Sequence, residues 1–299
     1  MELIGRRPAS ARQVSEGARK GDHLSLVDVH AEGMEHFNMP PLTYANYLDL
    51  EKLLTLQKPR STPAEHDEML FIIIHQTYEL WFKQLLHEFA KIKTDFSGGD
   101  LFGAIHTFKR TRTIMKTLVG QMDILETMTP SSFSSFRDRL ETASGFQSVQ
   151  FREIEFVLGY KRESTLAYLR PDFPGFDRLQ QRLRERTVVD HFYDFLAGRG
   201  AQIPTDVKNR DVTQPNSADE RVQAEILRLY KGAPEVSILF ELMTDFDEGF
   251  QEWRYRHIKL VERTIGAKKG TGGSPGVPFL KESLFKPMFP DLWAIRHQM

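Results

Sequence analysis

From Pro40 onward, apolar residues recur at intervals of three and four along almost the whole chain, and the strict alternation of half-buried strands is nearly absent. The pattern predicts an all-α fold, a single-domain helical bundle of long antiparallel helices. Thr62-Pro63-Ala64-Glu65 opens the first long helix, with threonine as N-cap, proline in the first helical position and Glu65 placed for a capping box; the helix runs to about residue 93. Ser97-Gly98-Gly99-Asp100 breaks the repeat, and a second helix over about 101–128 folds back as an antiparallel hairpin. Thr129-Pro130 starts a short helix carrying Phe133, Phe136, Arg137 and Leu140. After the Ser144-Gly145 break another covers 146–158 and closes at Gly159. Two more helices flank the polar stretch 198–219, which reads as the weakest-structured part of the middle, and a last long helix covers roughly 239–265 before Gly266.

Two of these helices carry a histidine inside the apolar stripe. The first stripe is Phe71, His75, Tyr78, Phe82, Leu85, Leu86, Phe89, and the second is Phe246, Phe250, Trp253, His257, Leu260, Val261. Both keep the spacing of a core-facing surface, so both rings point inward. A buried imidazole needs partners for its nitrogens: protein hydrogen bonds, a bound metal or a bound ligand. Each histidine taken alone is more often a hydrogen-bonded core residue than a ligand, and haem iron would suit one of them.

Composition narrows the choices. A chain of 299 residues with 40% apolar content can bury a sizeable core. Lysine plus arginine total 40 against 41 acidic residues, so no excess of positive charge exists to hold a phosphate backbone, and nucleic acid is not an expected partner. The absence of cysteine removes disulfides, thiolate catalysis, iron–sulfur clusters and thiolate-ligated haem, which leaves histidine as the leading ligand type. No apolar run approaches the ~18 residues of a spanning helix. The start of the chain, MELIGRRPASARQVSEG, has no secretory apolar core, and Glu2 and Glu16 among its arginines argue against an organelle address. The expectation is a soluble, cytoplasmic protein with no membrane partner, composed of a mobile N-terminal arm over 1–38 and a helical domain over 39–299.

Several local patterns carry candidate chemistry. None of the ten histidines belongs to an H-E-x-x-H motif or follows a glutamate at three residues, so zinc and di-iron carboxylate sites are not supported. Arg137 lies four residues after Phe133, which presents a guanidinium fork beside an aromatic face and suits an aromatic amino acid; an ordinary surface arginine next to a core phenylalanine has the same spacing. Gly270-Thr271-Gly272-Gly273-Ser274-Pro275-Gly276 fails both phosphate-loop fingerprints and reads either as a flexible surface loop or as a lid at a cofactor edge. Tyr44 and Tyr47 form an i, i+3 pair most simply taken as core anchors of the first short helix.

Three long segments, PAEHDEMLFIIIHQTYELWFKQLLHE, SSFRDRLETASGFQSVQFREIEFVLG and WRYRHIKLVERTIGAKKGTGGSPGV, resemble the tryptophan 2,3-dioxygenase family. The resemblance runs from about residue 42 to 293 with the motifs in the family's order and spacing. It implies an oxidoreductase that binds haem b (iron protoporphyrin IX) in a pocket enclosed by the long helices. Its reaction is cleavage of the indole C2=C3 bond of L-tryptophan by dioxygen to N-formylkynurenine, the first step of the kynurenine route of tryptophan catabolism. By the same resemblance His257 matches the proximal iron ligand, and Gly145 and Gly272 are carried over as cofactor contacts. His75 matches the distal catalytic histidine that contacts the indole N–H. Phe71, Ile72, Ile73, Ile74 and Phe133 are carried over as substrate-pocket positions, with Phe133 where some bacterial members have tyrosine and Ile74 a second local variation. Arg137 matches the clamp on the substrate carboxylate, Thr271 a contact to the amino acid head group, and Tyr44 and Tyr47 match tyrosines that the family lends to a neighbouring subunit. A homotetramer, a dimer of dimers, is implied.

Two other readings share this ligand set. A haem monooxygenase of the same fold would insert one oxygen atom into a modified tryptophan or indole, and a non-catalytic haem-binding sensor would keep His257 without needing Arg137 and Thr271.

Overall fold

The computed structural model describes residues 41–167, 169, 172–272 and 276–299. The expected arm over 1–38, and Gly273, Ser274 and Pro275 of the glycine-rich segment, lie outside the described residues. All regular structure among the described residues is helical, as the spacing predicts. The chain divides after Leu50. The short N-terminal unit holds α1 (Tyr44–Tyr47), capped by the Thr43 hydroxyl, which accepts the amide of Asn46. Next come α2 (Leu50–Leu53), α3 (His66–Ser97), α4 (Leu101–Leu125), α5 (Pro130–Arg137), α6 (Val149–Val157) and α7 (Glu163–Ala167). The chain continues through α8 (Phe176–Arg184), α9 (Val188–Gly198), α10 (Thr205–Lys208), α11 (Glu220–Gly232), α12 (Pro234–Ile265), α13 (Val277–Lys281) and α14 (Pro290–Ala294).

The frame is a trio of long helices: α4 packs against both α3 and α12, while α6 and α9 cover α3. Rings dominate the core because they bury the most apolar surface per residue. Phe89 meets Phe246 edge-on at 5.4 Å, and Phe96 gathers Phe108, Phe192 and Phe195 within 6.2 Å. That last cluster explains why α3 continues to Ser97, past the expected end near residue 93: its final turn carries Phe96 into the core. α4 stops at Leu125, three residues early, where the Thr127 hydroxyl turns back to the carbonyl of Ile124 at 2.6 Å.

Three other boundaries differ from the sequence pattern. The capping box at Thr62–Glu65 does not form; α3 starts at His66 with Glu65 as N-cap and no side-chain cap. Glu68, in the first turn, instead accepts the amides of Arg60 at 2.7 Å and Ser61 at 3.0 Å, which folds the preceding segment back onto the helix end. Residues 145–147 form a 3₁₀ turn ahead of α6, because Ser144 and then Ser148 each act as N-cap. α12 begins at Pro234, earlier than expected, since proline's fixed φ suits the first helical position.

The polar stretch 198–219 is better anchored than its composition suggests. Arg210 grips the buried carboxylate of Asp190 through two bonds of 2.8 and 3.0 Å and also donates to Asn216 Oδ1 at 2.8 Å. Asn216 in turn donates to the carbonyl of Leu158 and, through its backbone, to that of Gly159. Gly159 sits at φ +98° with Asn216 so close that any Cβ would overlap it, so only glycine ends α6 this way.

Candidate active site

Within the body after Leu50, α3, α5, α6, α12 and α13 enclose a cavity of about 290 Å³. It lies near the lower end of the ~300–1,000 Å³ of small-molecule sites. α3 and α12 supply facing walls: Phe71, His75, Tyr78 and Phe82 from one, Trp253, His257, Leu260 and Val261 from the other. The two striped helices therefore bring both histidines to one space.

His257 has no hydrogen bond to either ring nitrogen among the described residues. Its imidazole stacks on the indole of Trp253, one turn earlier on α12, with centroids 5.1 Å apart and planes 8° from parallel. Burial first, then the nearby His75 and the Arg152 cation, push its pKa down to about 4, so the ring is neutral at pH 7 and keeps a lone pair. His75 donates from Nδ1 to the carbonyl of Phe71 at 2.6 Å; a carbonyl only accepts, so Nδ1 carries the hydrogen and Nε2 is the open nitrogen. His75 keeps enough accessible surface to count as exposed and lines the cavity, so the fully buried ring that the apolar stripe predicts does not form, although surrounding protein still desolvates it. Burial lowers its pKa despite opposing pulls from the Phe71 carbonyl and Glu79.

The aromatic lining is continuous. Phe71 touches His75 at 4.1 Å and Phe133 at 5.7 Å, while Phe82, Phe151 and Trp253 meet at 4.9–6.2 Å on the inner side. Polar groups gather where α5 meets the loop after α12. Arg137 Nη2 donates to the carbonyl of Lys269 at 2.8 Å, and the buried Nε of Arg137 has no partner among the described residues. The hydroxyl of Thr271 donates to the carbonyl of Ala143. Gly272 packs on Ser144, where an added Cβ would stand 2.7 Å from the Ser144 Cβ. Gly276, at φ +74°, passes the Lys268 carbonyl where a Cβ would come within 2.8 Å.

The expected site residues thus divide. Phe71, His75, Phe133, Arg137, Thr271, His257 and Gly145 line the cavity; Gly272 sits beside Thr271 but is not part of the lining. Ile72, Ile73 and Ile74 do not line it either. Successive helical residues rotate by about 100°, so positions between Phe71 and His75 turn away: Ile74 is buried in the core and Ile73 is 45% exposed. Tyr44 and Tyr47 are 77% and 72% exposed, which overturns their reading as core anchors.

A charged cluster in the wall was not anticipated. Glu155 on α6 is fully buried and accepts from Arg152, Arg162 and Arg254 at 2.6–3.1 Å; these three cations hold its carboxyl near about 2 against the opposing pull of burial. Only the i, i+3 spacing of Arg152 and Glu155 is visible in the sequence, and it is common on solvated helices.

These residues fit a porphyrin-bound iron: a neutral imidazole without a competing partner among the described residues, set among aromatic and aliphatic walls and held by a stacked indole. Comparison with known proteins identifies the family. The family model described as tryptophan 2,3-dioxygenase matches residues 28–184 and 173–299. A curated tryptophan 2,3-dioxygenase of Herpetosiphon aurantiacus is 53% identical over 255 residues, 85% of this chain and 97% of the relative. Proteins of the same name from Anaeromyxobacter dehalogenans and Rhodococcus jostii are 48% and 43% identical, across 85% and 86% of this chain and 95% and 92% of their own lengths. With a family model spanning most of the sequence and relatives this similar over nearly their whole length, the chain belongs to the tryptophan 2,3-dioxygenase family.

Proposed function

We propose that this chain is a haem b enzyme that adds both atoms of dioxygen across the indole C2=C3 bond of L-tryptophan and opens that bond to give N-formylkynurenine. The reaction is balanced without a further reductant, since substrate and dioxygen together contain every atom of the product. The observation that carries the reading is the convergence of His75 and His257 on one cavity whose rim holds Arg137 and Thr271.

Bound haem supplies a redox-active ferrous iron to engage dioxygen. His257 would hold that iron through its neutral imidazole. Phe71 and Phe133 would wall the indole, and the open Nε2 of His75 would accept the indole N–H, which orients the ring and holds the proton at that atom. Arg137 receives the substrate carboxylate; its Nε, without a partner among the described residues, and its bond to the Lys269 carbonyl support a fork that exchanges a loop contact for a ligand contact. Thr271, now bonded to the Ala143 carbonyl, turns to the head group in the same way.

The assembly belongs to the same proposal: a cytoplasmic homotetramer in which Tyr44 and Tyr47 complete a neighbour's pocket, with 39–299 as the catalytic domain and 1–38 as an arm. The high exposure of both tyrosines supports it. Among the described residues no helix is long and apolar enough to cross a membrane.

Turnover of L-tryptophan under isotopically labelled dioxygen tests the chemistry. Two labelled atoms in one product molecule are expected. A single labelled atom would identify a monooxygenase, and a haem protein whose spectrum ignores L-tryptophan would be the sensor.

A further inference from the structure

The cavity wall holds more positive than negative charge. Glu155 is the carboxylate shared by Arg152, Arg162 and Arg254, at 2.6, 3.1 and 2.8 Å, and all four residues line the cavity together with His257. Three cations on one anion leave an excess of two positive charges, where Arg152 and Arg254 are only 6% and 3% exposed. Uncompensated charge in such surroundings is costly.

Aromatic faces offset part of that cost. The Arg152 guanidinium lies 5.0 Å from the Phe146 ring centroid, Arg254 lies 4.6 Å from Phe250, and Arg162 lies 4.3 Å from Tyr160. Ring faces leave the in-plane N–H donors unused, and the Nε atoms of all three arginines are buried without a partner among the described residues. The arginines also differ in freedom. Arg254 is a strut, bonded to Glu155 and to the carbonyls of Ser283 and Lys286 at 3.2 and 3.1 Å. Arg152 makes one hydrogen bond among the described residues, to Glu155, and keeps its remaining donors at the cavity wall.

We propose that Glu155 is a positioning residue for the cofactor: by gripping Arg152 and Arg254 it fixes a doubly positive edge of the cavity that receives the two carboxylates of the porphyrin. This rests on the haem-dependent reading above. The charges balance, two carboxylates against an excess of two. Glu155 needs no contact with the porphyrin, because its part is to aim guanidinium groups that otherwise splay apart by mutual repulsion.

The test compares protohaem with its dimethyl ester, which lacks both negative charges, in the full-length protein reconstituted with each and followed by transfer to apomyoglobin. The unaltered protein is expected to release the diester at least about tenfold faster than the diacid. Glu155→Gln and Arg152→Ala are expected to bring that ratio toward one, with helical circular dichroism and the imidazole-ligated spectrum retained, and Arg152→Lys to recover part of it. A purely structural role would change stability without changing the preference for free carboxylates. Equal release of both porphyrins from the unaltered protein, each showing an imidazole-ligated spectrum, would overturn the inference and leave the haem reading standing. A full ratio retained in Glu155→Gln would overturn the positioning role. Failure of either porphyrin to give an imidazole-ligated spectrum would remove the haem reading itself. Should Glu155→Gln not fold, the ratios for the unaltered protein and Arg152→Lys decide.

Discussion

The indole of Trp253 lies flat against the imidazole of His257, one helical turn away on α12. Trp253 is itself fixed edge-on by Tyr78 at 6.0 Å and Phe82 at 6.2 Å on α3, so the histidine is oriented through packing, with no hydrogen bond to its ring among the described residues. An aromatic contact of this kind is worth about 0.5–1.5 kcal/mol beyond burial. His257→Ala is expected to abolish haem retention, and Trp253→Leu to keep haem but raise its dissociation rate about two- to tenfold. Soret absorbance and haem transfer measure both.

Among the described residues Arg137 sits on the rim with one hydrogen bond, to a loop carbonyl, and a buried Nε without a partner. Arg137→Ala is expected to weaken binding of L-tryptophan by about ten- to a hundredfold, the range of a lost charged hydrogen-bond pair, and to leave tryptamine, which has no carboxylate, nearly unchanged. Titration of the Soret shift with each ligand measures the difference; equal losses would count against the clamp.

Gly272 allows the loop after α12 to approach Ser144. A Cβ there meets the Ser144 Cβ at 2.7 Å, a rigid neighbour that cannot rotate away. Gly272→Ala is expected to displace Thr271 and raise KM for L-tryptophan several-fold with the haem spectrum unchanged. Steady-state kinetics beside haem content checks this.

Acid should act through Glu155. Its carboxyl is held at about 2, against 4.5 for an unperturbed glutamate, chiefly by Arg152 and Arg254 overcoming burial. A folded value below the unfolded one contributes stability that is complete above about pH 4.5 and lost as pH falls toward 2. Asp247 and Asp291, raised by burial, act in the opposite sense, so the informative quantity is the difference from Glu155→Gln. The thermal midpoint of the unaltered protein is expected to drop more steeply than that of the variant across this window.

The helical class, the α3–α4 hairpin and the inward histidines were legible in the sequence because each depends on spacing within one helix, which sterics fix locally. The ends of α3, the anchoring of 198–219 and the Glu155 cluster were not. Glu68 meets Arg60 and Ser61 across a turn, Arg210 meets Asp190 across twenty positions, and Arg254 meets Glu155 across ninety-nine, so no local periodicity encodes these pairs. Tyr44 and Tyr47 show the converse: i, i+3 aromatic spacing describes a shared helix face equally well whether that face is covered or, as in the single chain, open. The identities of Arg137 and Thr271 as rim residues came from resemblance, since their spacing alone also describes surface positions.

The most direct measurement is the ultraviolet-visible spectrum of the reduced, haem-loaded protein on addition of L-tryptophan under oxygen. A perturbed Soret band and growing absorbance of N-formylkynurenine, both lost in His257→Ala, are the expected result. A reduced protein that binds no haem through His257, or a haem-loaded one that leaves L-tryptophan unconsumed, would contradict it.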